Sequence, residues 1–514
     1  MTHWYSRTPY SFIESRKPTF MEQSDGHHTE NDTGKIFDFR DKRNMDYYMK
    51  LTETMVEEYD KQTALFHTIG LGERKMYDDK QKNFTLKLLT YRRIIENIRE
   101  RYPDSTMMLA AWDFIGWWSP DEVQGLLKEL DPEKTVILDY TSEVDDPEIS
   151  FLHWGVVGRF PWIFGLFHGY ESESELRGPY DRSNERLKVA AADPMCKGMV
   201  LWPELSHSDP VVLEYLTRNA WSPLSQSVEE MITDFCGARY GKTAAVMNDA
   251  WQHMLPMIKL GHWGDYSRRQ KSDPEKYDFC PNAYGHFDLW TRLTYWLKKH
   301  WKDEALEKYF RKKIREHLKT LPATLVSLEI LSGLGEAVKD RFVLRDAVDM
   351  VRTAIGRYLN HVISSATFDL ADKAYIETAE TCYFELLSVM QDILSFDPED
   401  FSVLYTLEEM RRVAPVNPRA EIILKHNIHN RYCSQPACEL VKGIYFDEAH
   451  IVFDWLKDTD GSAPDFTAAA DALEEKFLAA PLADLQTSAP ADFGAAVRRA
   501  VRAIRNAAEI LEKK

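Results

Sequence analysis

The sequence predicts an α/β unit followed by an all-α one. The first is a partial (β/α)8 (TIM-type) barrel with about five parallel strands, and the second is a helical C-terminal domain. Three observations predict this. Between residues 63 and 204, five short runs that are apolar on both faces alternate with helical periodicities, the mark of a parallel sheet with covered faces. After about residue 225 the strand signal almost disappears and long amphipathic runs take over. The chain has 514 residues, 44% hydrophobic and 28% charged, enough for two or three domains with real cores.

In chain order, residues 1–35 include MEQSDGHHTENDTG, polar and without hydrophobic period, and are expected to be irregular. The adjacent His27 and His28 read as solvated rather than metal-binding. Residues 36–222 form the barrel part. TALFHTIG (63–70) is the first strand and NFTLKLLTYRRIIENIRERY (83–102) the helix after it. STMMLAAWDF (105–114) is the second strand. Ser119, Pro120 and Glu122 then make a capping box with proline at the first helical position, so a helix starts there. TVILDYTSE (135–143), FPWIFGLFHGY (160–170) and KGMVLWPE (197–204) are the third, fourth and fifth strands. A second capping box, Ser227 and Glu230, opens the helical domain, which runs over 223–457. DTDGSAPDF (458–466) reads as a linker, and terminal helices complete 458–514.

Composition excludes several function classes. The net charge of −18 disfavours nucleic acid and anionic membranes, which need a cationic footprint. The basic run KKHWKDEALEKYFRKKIREHLK (298–319) interleaves Glu with Lys at helical spacing and reads as a solvated helix face. There is no apolar run of transmembrane length and no signal-peptide h-region, so a cytoplasmic location is expected. Six scattered cysteines make no disulfide scaffold, and Cys433 with Cys438 lacks the second pair that a zinc site needs. The 14 Trp, 24 Tyr and 25 Phe are unusual, and many of the Trp fall between 112 and 221, where they either fill a core or wall a sugar site.

The candidate chemistry lies at the carboxyl ends of the strands, where parallel α/β folds place their active sites. These ends carry Glu73, Trp112 with Asp113, Glu143, His168, and Trp202 with Glu204. Two carboxylates across a barrel mouth, ringed by aromatic residues such as Tyr140, suit glycosidic bond cleavage. One must donate a proton to the leaving oxygen; the other must be ionised to attack the anomeric carbon or activate water. Taken alone, a carboxylate at a strand end is usually solvated or caps a helix.

Linked segments in the right order sharpen that reading. AAWDFIGWW (110–118), the stretch from Trp118 to Glu143, PWIFGLFHGY (161–170), KGMVLWPELSHSDPVVLEYLTRNAW (197–221) and ARYG (238–241) together resemble glycoside hydrolase family 89, the α-N-acetylglucosaminidases. FVLRDAVDMVRTAIGRYL (342–359) and 429–456 resemble helices of the family's C-terminal domain. The resemblance implies an exo-acting, retaining glycosidase. Glu143 would be its nucleophile and Glu73 its acid/base, with Trp112, Tyr140, His168, Trp202 and Glu204 on the sugar. It implies no metal or organic cofactor, and a carbohydrate substrate as partner.

Three departures matter. Gly72 stands where the family has Asn before its acid/base. Ala110–Ala111 and Gly169–Tyr170–Glu171 replace the family's Gln-Gly and Asn-Phe-Gly-Gly. The loop after Tyr432 lacks the family's Trp-Gly. The first of these implies a weaker preference for the N-acetyl sugar, and the last a more open pocket. Only about 60 residues precede Glu73, so the family's N-terminal domain and first barrel strands have no room. An incomplete barrel is therefore expected, with an N-terminal partner chain or self-association covering its edges. The rival reading is a non-catalytic chain, a sugar-binding or structural remnant.

Overall fold

The computed structural model describes residues 4–6, 19–22, 25–26, 32–59, 65–68, 74–75, 77, 79–114, 118–140, 142–143, 151–166, 168, 175–202, 209–260, 304–429, 437–459 and 461–514. The chain folds as two compact units, one made of 1–167 and 182–202, the other of 168–181 and 203–514.

The first unit begins with strands, not with an irregular segment. β1 (Trp4–Ser6), β2 (Phe20–Glu22) and β4 (Asp32–Phe37) form an antiparallel sheet with β4 in the middle, and β3 (Asp25–Gly26) pairs with β6 (Arg74–Lys75). For the described residues within 1–35, the expectation of irregular structure is thereby corrected. The strands are two to six residues long and pair across gaps that local periodicity does not register. Helix α1 (Lys42–Tyr59) follows.

The parallel sheet is built from β5 (Leu65–Thr68), β7 (Thr106–Ala110), β8 (Thr135–Leu138), β9 (Trp162–Leu166) and β10 (Cys196–Leu201). Their spatial order is their sequence order, and each neighbouring pair is parallel. This is the five-stranded partial barrel the periodicity predicts. Among the described residues, β5 and β10 each pair on one side only.

Between the strands run α2 (Lys80–Arg101), α3 (Pro120–Leu127), the short α4 (Phe151–Trp154) and α5 (Tyr180–Ala192). Asp79 caps α2 by accepting from Lys82 N, and α3 carries the predicted Ser119/Glu122 box. Helix α2 buries Leu86, Tyr91, Ile94, Ile95 and Ile98. Much of the tryptophan is core. Trp154 and Trp162 are fully buried, Phe151 packs on Trp162 at 4.4 Å, and Trp118 meets Phe84, Tyr91 and Phe114 at 5.7–5.9 Å.

At the amino ends of β9 and β10, Asp193 organises both turns. Its carboxylate accepts from Gly158 N (2.9 Å), Trp162 Nε1 (2.8 Å) and Met195 N (3.0 Å). Burial opposes the charge there, but these three donors prevail and hold the carboxyl below the usual range.

The second unit is helical. Its helices are α6 (Pro210–Trp221), α7 (Val228–Arg239), α8 (Ala244–Ile258), α9 (Glu304–Ser332), α10 (Arg341–Phe368), α11 (Lys373–Leu394), α12 (Pro398–Phe401), α13 (Val403–Val413), α14 (Ala420–Ile428), α15 (Phe446–Asp458), α16 (Thr467–Ala479), α17 (Leu482–Leu485) and α18 (Phe493–Leu511). The Ser227/Glu230 box opens α7 as predicted. Helix α6 belongs with this unit rather than with the barrel. Its Arg218 reaches Asp234 of α7 at 3.0 Å.

Helix α10 is buried without interruption from Asp346 to Thr367 and is the axis of the unit. Its charges are met by opposite charges. Asp346 accepts from Arg239 Nε (2.5 Å) and the Tyr240 hydroxyl (2.6 Å), and Asp349 accepts from Arg352 Nε (2.6 Å). The terminal helix α18 packs on α9, α10 and α11, with Arg499 joined to Glu385 and Asp392. No helix among the described residues is long and apolar enough to cross a membrane.

Candidate active site

The loop after β8 carries Glu143, and the strand beside it dictates how that loop runs. Asp139 N donates to Ile163 O at 3.0 Å, continuing the β8–β9 ladder past the strand end. Gly165 of β9 then lies hard against the Asp139 carbonyl. A Cβ at position 165 would fall 1.7 Å from that oxygen, so only glycine admits this approach. The Ser142 hydroxyl donates to the Gly165 carbonyl, and Ser183 Oγ of α5 donates to the Ser142 carbonyl at 3.4 Å. Asp139, Tyr140, Ser142 and Glu143 are all buried, Glu143 with 2% of its surface exposed. A carboxyl side chain is thus held away from water past a strand's carboxyl end.

Rings gather at the same ends of the sheet. Trp112, in a 3₁₀ turn (Ala111–Phe114) directly after β7, meets Tyr140 edge-on at 6.4 Å. Tyr140 meets Trp202, just past β10, at 5.7 Å. Trp202 is 40% exposed and Trp112 half-buried, so the cluster has an accessible face, while Tyr140 is buried between them. An exposed indole offers the flat apolar surface that sugar C–H faces stack on.

His67 of β5, half-buried, completes the row at 6.1 Å from Trp202. It is the one ring of this row that the sequence reading passed over, because it lies inside an apolar strand rather than at its end. Burial holds its imidazole below the usual histidine range, which leaves it neutral at neutral pH. Its buried Nε2 has no hydrogen-bond partner among the described residues.

The structure therefore brings Trp112, Tyr140 and Trp202 together and places Glu143 three residues along from Tyr140. His168 belongs to the second unit. It is buried there and acts electrostatically on Asp209. Burial raises the carboxyl of Asp209, and His168 and the backbone donors Val211 N and Val212 N pull it back. Glu73, Gly72, Glu204, residues 169–171, Tyr432 and Cys433 lie outside the described residues, as does the side chain of Asp113. Among the described residues there is no group of three or more His, Cys, Asp or Glu side chains arranged to hold a metal ion.

Residues 17–223 match the family model of the α-N-acetylglucosaminidase (NAGLU) TIM-barrel domain. Two solved structures are similar in fold. One is a family 89 glycoside hydrolase from Clostridium perfringens in complex with PUGNAc, at 16% identity and a TM-score of 0.62. The other, from the same organism, is a family 89 enzyme with two glutamates changed to glutamine, in complex with its substrate GlcNAc-α-1,4-galactose, at 15% identity and a TM-score of 0.60. In both cases 97% of this chain is covered but only 55% of the other, so the chain spans about half the length of these solved relatives. No curated protein sequence matches it. By sequence pattern over 17–223 and by fold over nearly its whole length, the chain resembles the α-N-acetylglucosaminidases of glycoside hydrolase family 89.

Proposed function

We propose that this chain is a glycosidase of the α-N-acetylglucosaminidase type, exo-acting and retaining, that cleaves terminal α-linked N-acetylglucosamine or a related α-hexoside. The observation that carries the reading is Glu143. It is a buried carboxyl group past the carboxyl end of β8, three residues along from Tyr140 of the Trp112–Tyr140–Trp202 row and inside the segment that matches the family's barrel domain. The doubly substituted C. perfringens enzyme with its GlcNAc-α-1,4-galactose substrate supports a site that depends on two glutamates.

In this mechanism Glu143 attacks the anomeric carbon and forms a glycosyl ester, while Glu73 gives its proton to the departing oxygen. Glu73 then takes a proton from water, the water oxygen bonds to the anomeric carbon, and the ester to Glu143 breaks. Trp112, Tyr140 and Trp202 supply stacking surface, and His168 and Glu204 supply hydrogen bonds. Gly72, in place of Asn, reduces selectivity for the 2-acetamido group, because a site without that partner loses discrimination. No cofactor takes part, the partner is a carbohydrate and not nucleic acid or membrane, and the location is cytoplasmic.

The test is a panel of α- and β-4-nitrophenyl glycosides of N-acetylglucosamine, glucose, galactose and glucuronic acid, read with the wild type and Glu143→Gln. Turnover of an α-glycoside that disappears in a folded Glu143→Gln protein is the expected result. A second reading, a non-catalytic sugar-binding chain, draws on the five-stranded sheet, whose outer strands β5 and β10 each pair on one side only among the described residues. It gains if sugars bind with no turnover of any substrate, and a Glu143→Gln protein as active as the wild type overturns the glycosidase mechanism.

A further inference from the structure

The two outer strands of the parallel sheet meet through their side chains. Three strands separate β5 from β10. In a flat sheet, four spacings of about 4.8 Å would hold them about 19 Å apart. Yet the His67 imidazole in β5 lies 6.1 Å from the indole of Trp202, just past β10. The sheet is therefore curled, with both rings on its inner side. The neighbour of His67 in the strand points the other way. Phe66 meets the Tyr102 ring at the C-cap of α2 at 5.1 Å, and successive side chains of a strand face opposite sides.

Both rings are held by ladders. His67 pairs in register with Met108 of β7, and Trp202 N donates to the Leu166 carbonyl at 2.9 Å. The row His67–Trp202–Tyr140–Trp112 lies wholly within the first unit, as does Glu143. Trp202 is 40% exposed and His67 half-buried, so the pair borders space that a ligand can enter. The imidazole is tilted by 50° to the indole and does not lie flat on it.

His67 brings to this row a polar group that the fold leaves unused. Because burial lowers its pKa, the ring is uncharged near neutral pH and carries one N–H and one lone pair. Nε2 is enclosed without a hydrogen-bond partner among the described residues, whereas Nδ1 is neither enclosed in this way nor hydrogen-bonded among them. An enclosed N–H without an acceptor is the rarer of the two possible orphans, which puts the lone pair on Nε2 and the proton on Nδ1. A phenylalanine would pack the end of an apolar strand without leaving any polar atom unpaired. The imidazole adds a donor at Nδ1 beside an accessible indole.

We propose that His67 is a substrate-binding residue that sets specificity: with a sugar resting on the Trp202 indole, His67 Nδ1–H donates to one of the sugar's oxygens. The inference rests on the glycosidase reading for its effect on turnover, and on sugar binding alone otherwise.

The first experiment is a titration of the full chain, labelled with ¹⁵N in histidine and tryptophan, with the methyl α-glycosides of the four sugars in the activity panel. His67→Phe and Trp202→Phe assign the two side-chain signals. In the free chain His67 should show a protonated Nδ1 and a bare Nε2. One of the glycosides should then shift Nδ1 and the Trp202 indole N–H together. A glycoside that shifts the indole and leaves His67 unmoved overturns the proposal, and so does a chain in which no glycoside moves either ring.

The second experiment reads turnover. His67→Phe should lower kcat/KM for the preferred α-glycoside about tenfold to a hundredfold, the effect of removing one partner of a buried hydrogen bond. For one substrate in a series lacking a single hydroxyl, wild type and His67→Phe should become equal, because that substrate has already lost the accepting oxygen. His67→Asn, whose amide can donate from near the position of Nδ1, should recover part of the loss. An equal loss on every substrate of the series would mean a merely structural role and overturn the proposal. Joint shifts of the two rings in a chain without turnover would overturn the glycosidase reading and leave the binding role of His67 in place.

Discussion

The two units bury polar groups in opposite ways. In the barrel unit they collect at the ends of strands and are met by the backbone. Asp193 at the amino ends accepts from two main-chain N–H groups and an indole, and the Ser142 hydroxyl at the carboxyl ends donates to the main-chain carbonyl of Gly165. In the helical unit the longest run of them lies along α10, where the buried charges have side-chain partners of opposite charge. Asp346 faces Arg239, Asp349 faces Arg352, and Arg357 faces Glu175. Backbone partners fix a loop's path and leave its side chains for chemistry. Paired side chains fix the spacing of helices and leave nothing over. The barrel unit therefore carries the candidate Glu143, Trp112, Tyr140 and Trp202, and the helical unit offers a frame.

The sharpest way to break this contrast is at the one position where the barrel's backbone approach admits no side chain. Gly165→Ala must drive β9 away from the Asp139 carbonyl, since the new Cβ would sit 1.7 Å from it. The expected cost is about 3 kcal/mol or more, at the upper end for overpacking, and the loop that carries Glu143 moves with it. Urea denaturation and turnover should therefore fall together. A Gly165→Ala protein as stable as the wild type would mean that the loop is not held by this approach.

Acid should single out the helical unit. His317 of α9 and His361 of α10 are buried with ring centroids 4.6 Å apart. Burial, then the cationic Arg357 and Lys313, push His361 down to about 3. Burial, the other histidine and the same two cations also hold His317 well below the usual range. An imidazole whose pKa is lowered on folding takes up its proton first in the unfolded chain. The stability of this pair is therefore complete above about pH 6.5 and is lost as pH falls from there toward about 3. The loss can reach about 1.4 kcal/mol per pH unit for each histidine that stays neutral in the fold. Denaturant midpoints at pH 7 and pH 5 measure it, and His361→Gln should flatten the dependence. An unchanged slope in that variant would place the acid sensitivity elsewhere.

The amino ends of the sheet offer the complementary test. Asp193→Ala leaves Trp162 Nε1, Gly158 N and Met195 N without their acceptor. The buried Trp162 Nε1 left unsatisfied, with two part-buried backbone donors, makes the expected cost about 2 kcal/mol. The change lies at the end of the strands opposite to Glu143, so kcat/KM in the folded protein should stay within a factor of about two, as expected where the non-catalytic face serves stability. A large activity loss in a fully folded Asp193→Ala protein would erase the distinction between the two ends.

What the sequence revealed follows the same division. The five parallel strands and both capping boxes were legible, because hydrophobic period and Ser-x-x-Glu spacing are local signals. That Glu143, Trp112, Tyr140 and Trp202 lie past strand ends was legible from the strand pattern, whereas His67, with its side chain inside an apolar run, was passed over. The strands within 1–35 were missed because pairing partners such as Trp4 and Ile36 lie far apart in the chain. The attachment of 168–181 to the helical unit was missed for the same reason. Thr353 and Arg357 lie about 180 residues from Leu176, and nothing in a stretch of buried and charged residues announces a partner at that distance.

The smallest expected effect lies where α6 turns into α7. Leu224 has φ of +58°, a left-handed conformation in which its Cβ crowds the following carbonyl, and its N–H donates to Asn219 Oδ1 at 2.9 Å. Leu224→Gly relieves roughly 1–2 kcal/mol of that crowding. It gives back roughly 0.5–1 kcal/mol through the greater freedom of glycine in the unfolded chain, and some half-buried apolar surface besides. The net should be a gain of at most about 1 kcal/mol in the helical unit, with the Asn219 bond kept, since glycine retains the N–H. Chemical denaturation resolves a shift of that size. A destabilisation beyond about 0.5 kcal/mol would mean that the leucine side chain contributes more by packing than its backbone loses by strain. The frame would then be held by apolar burial even at a turn where the chain's conformation calls for glycine.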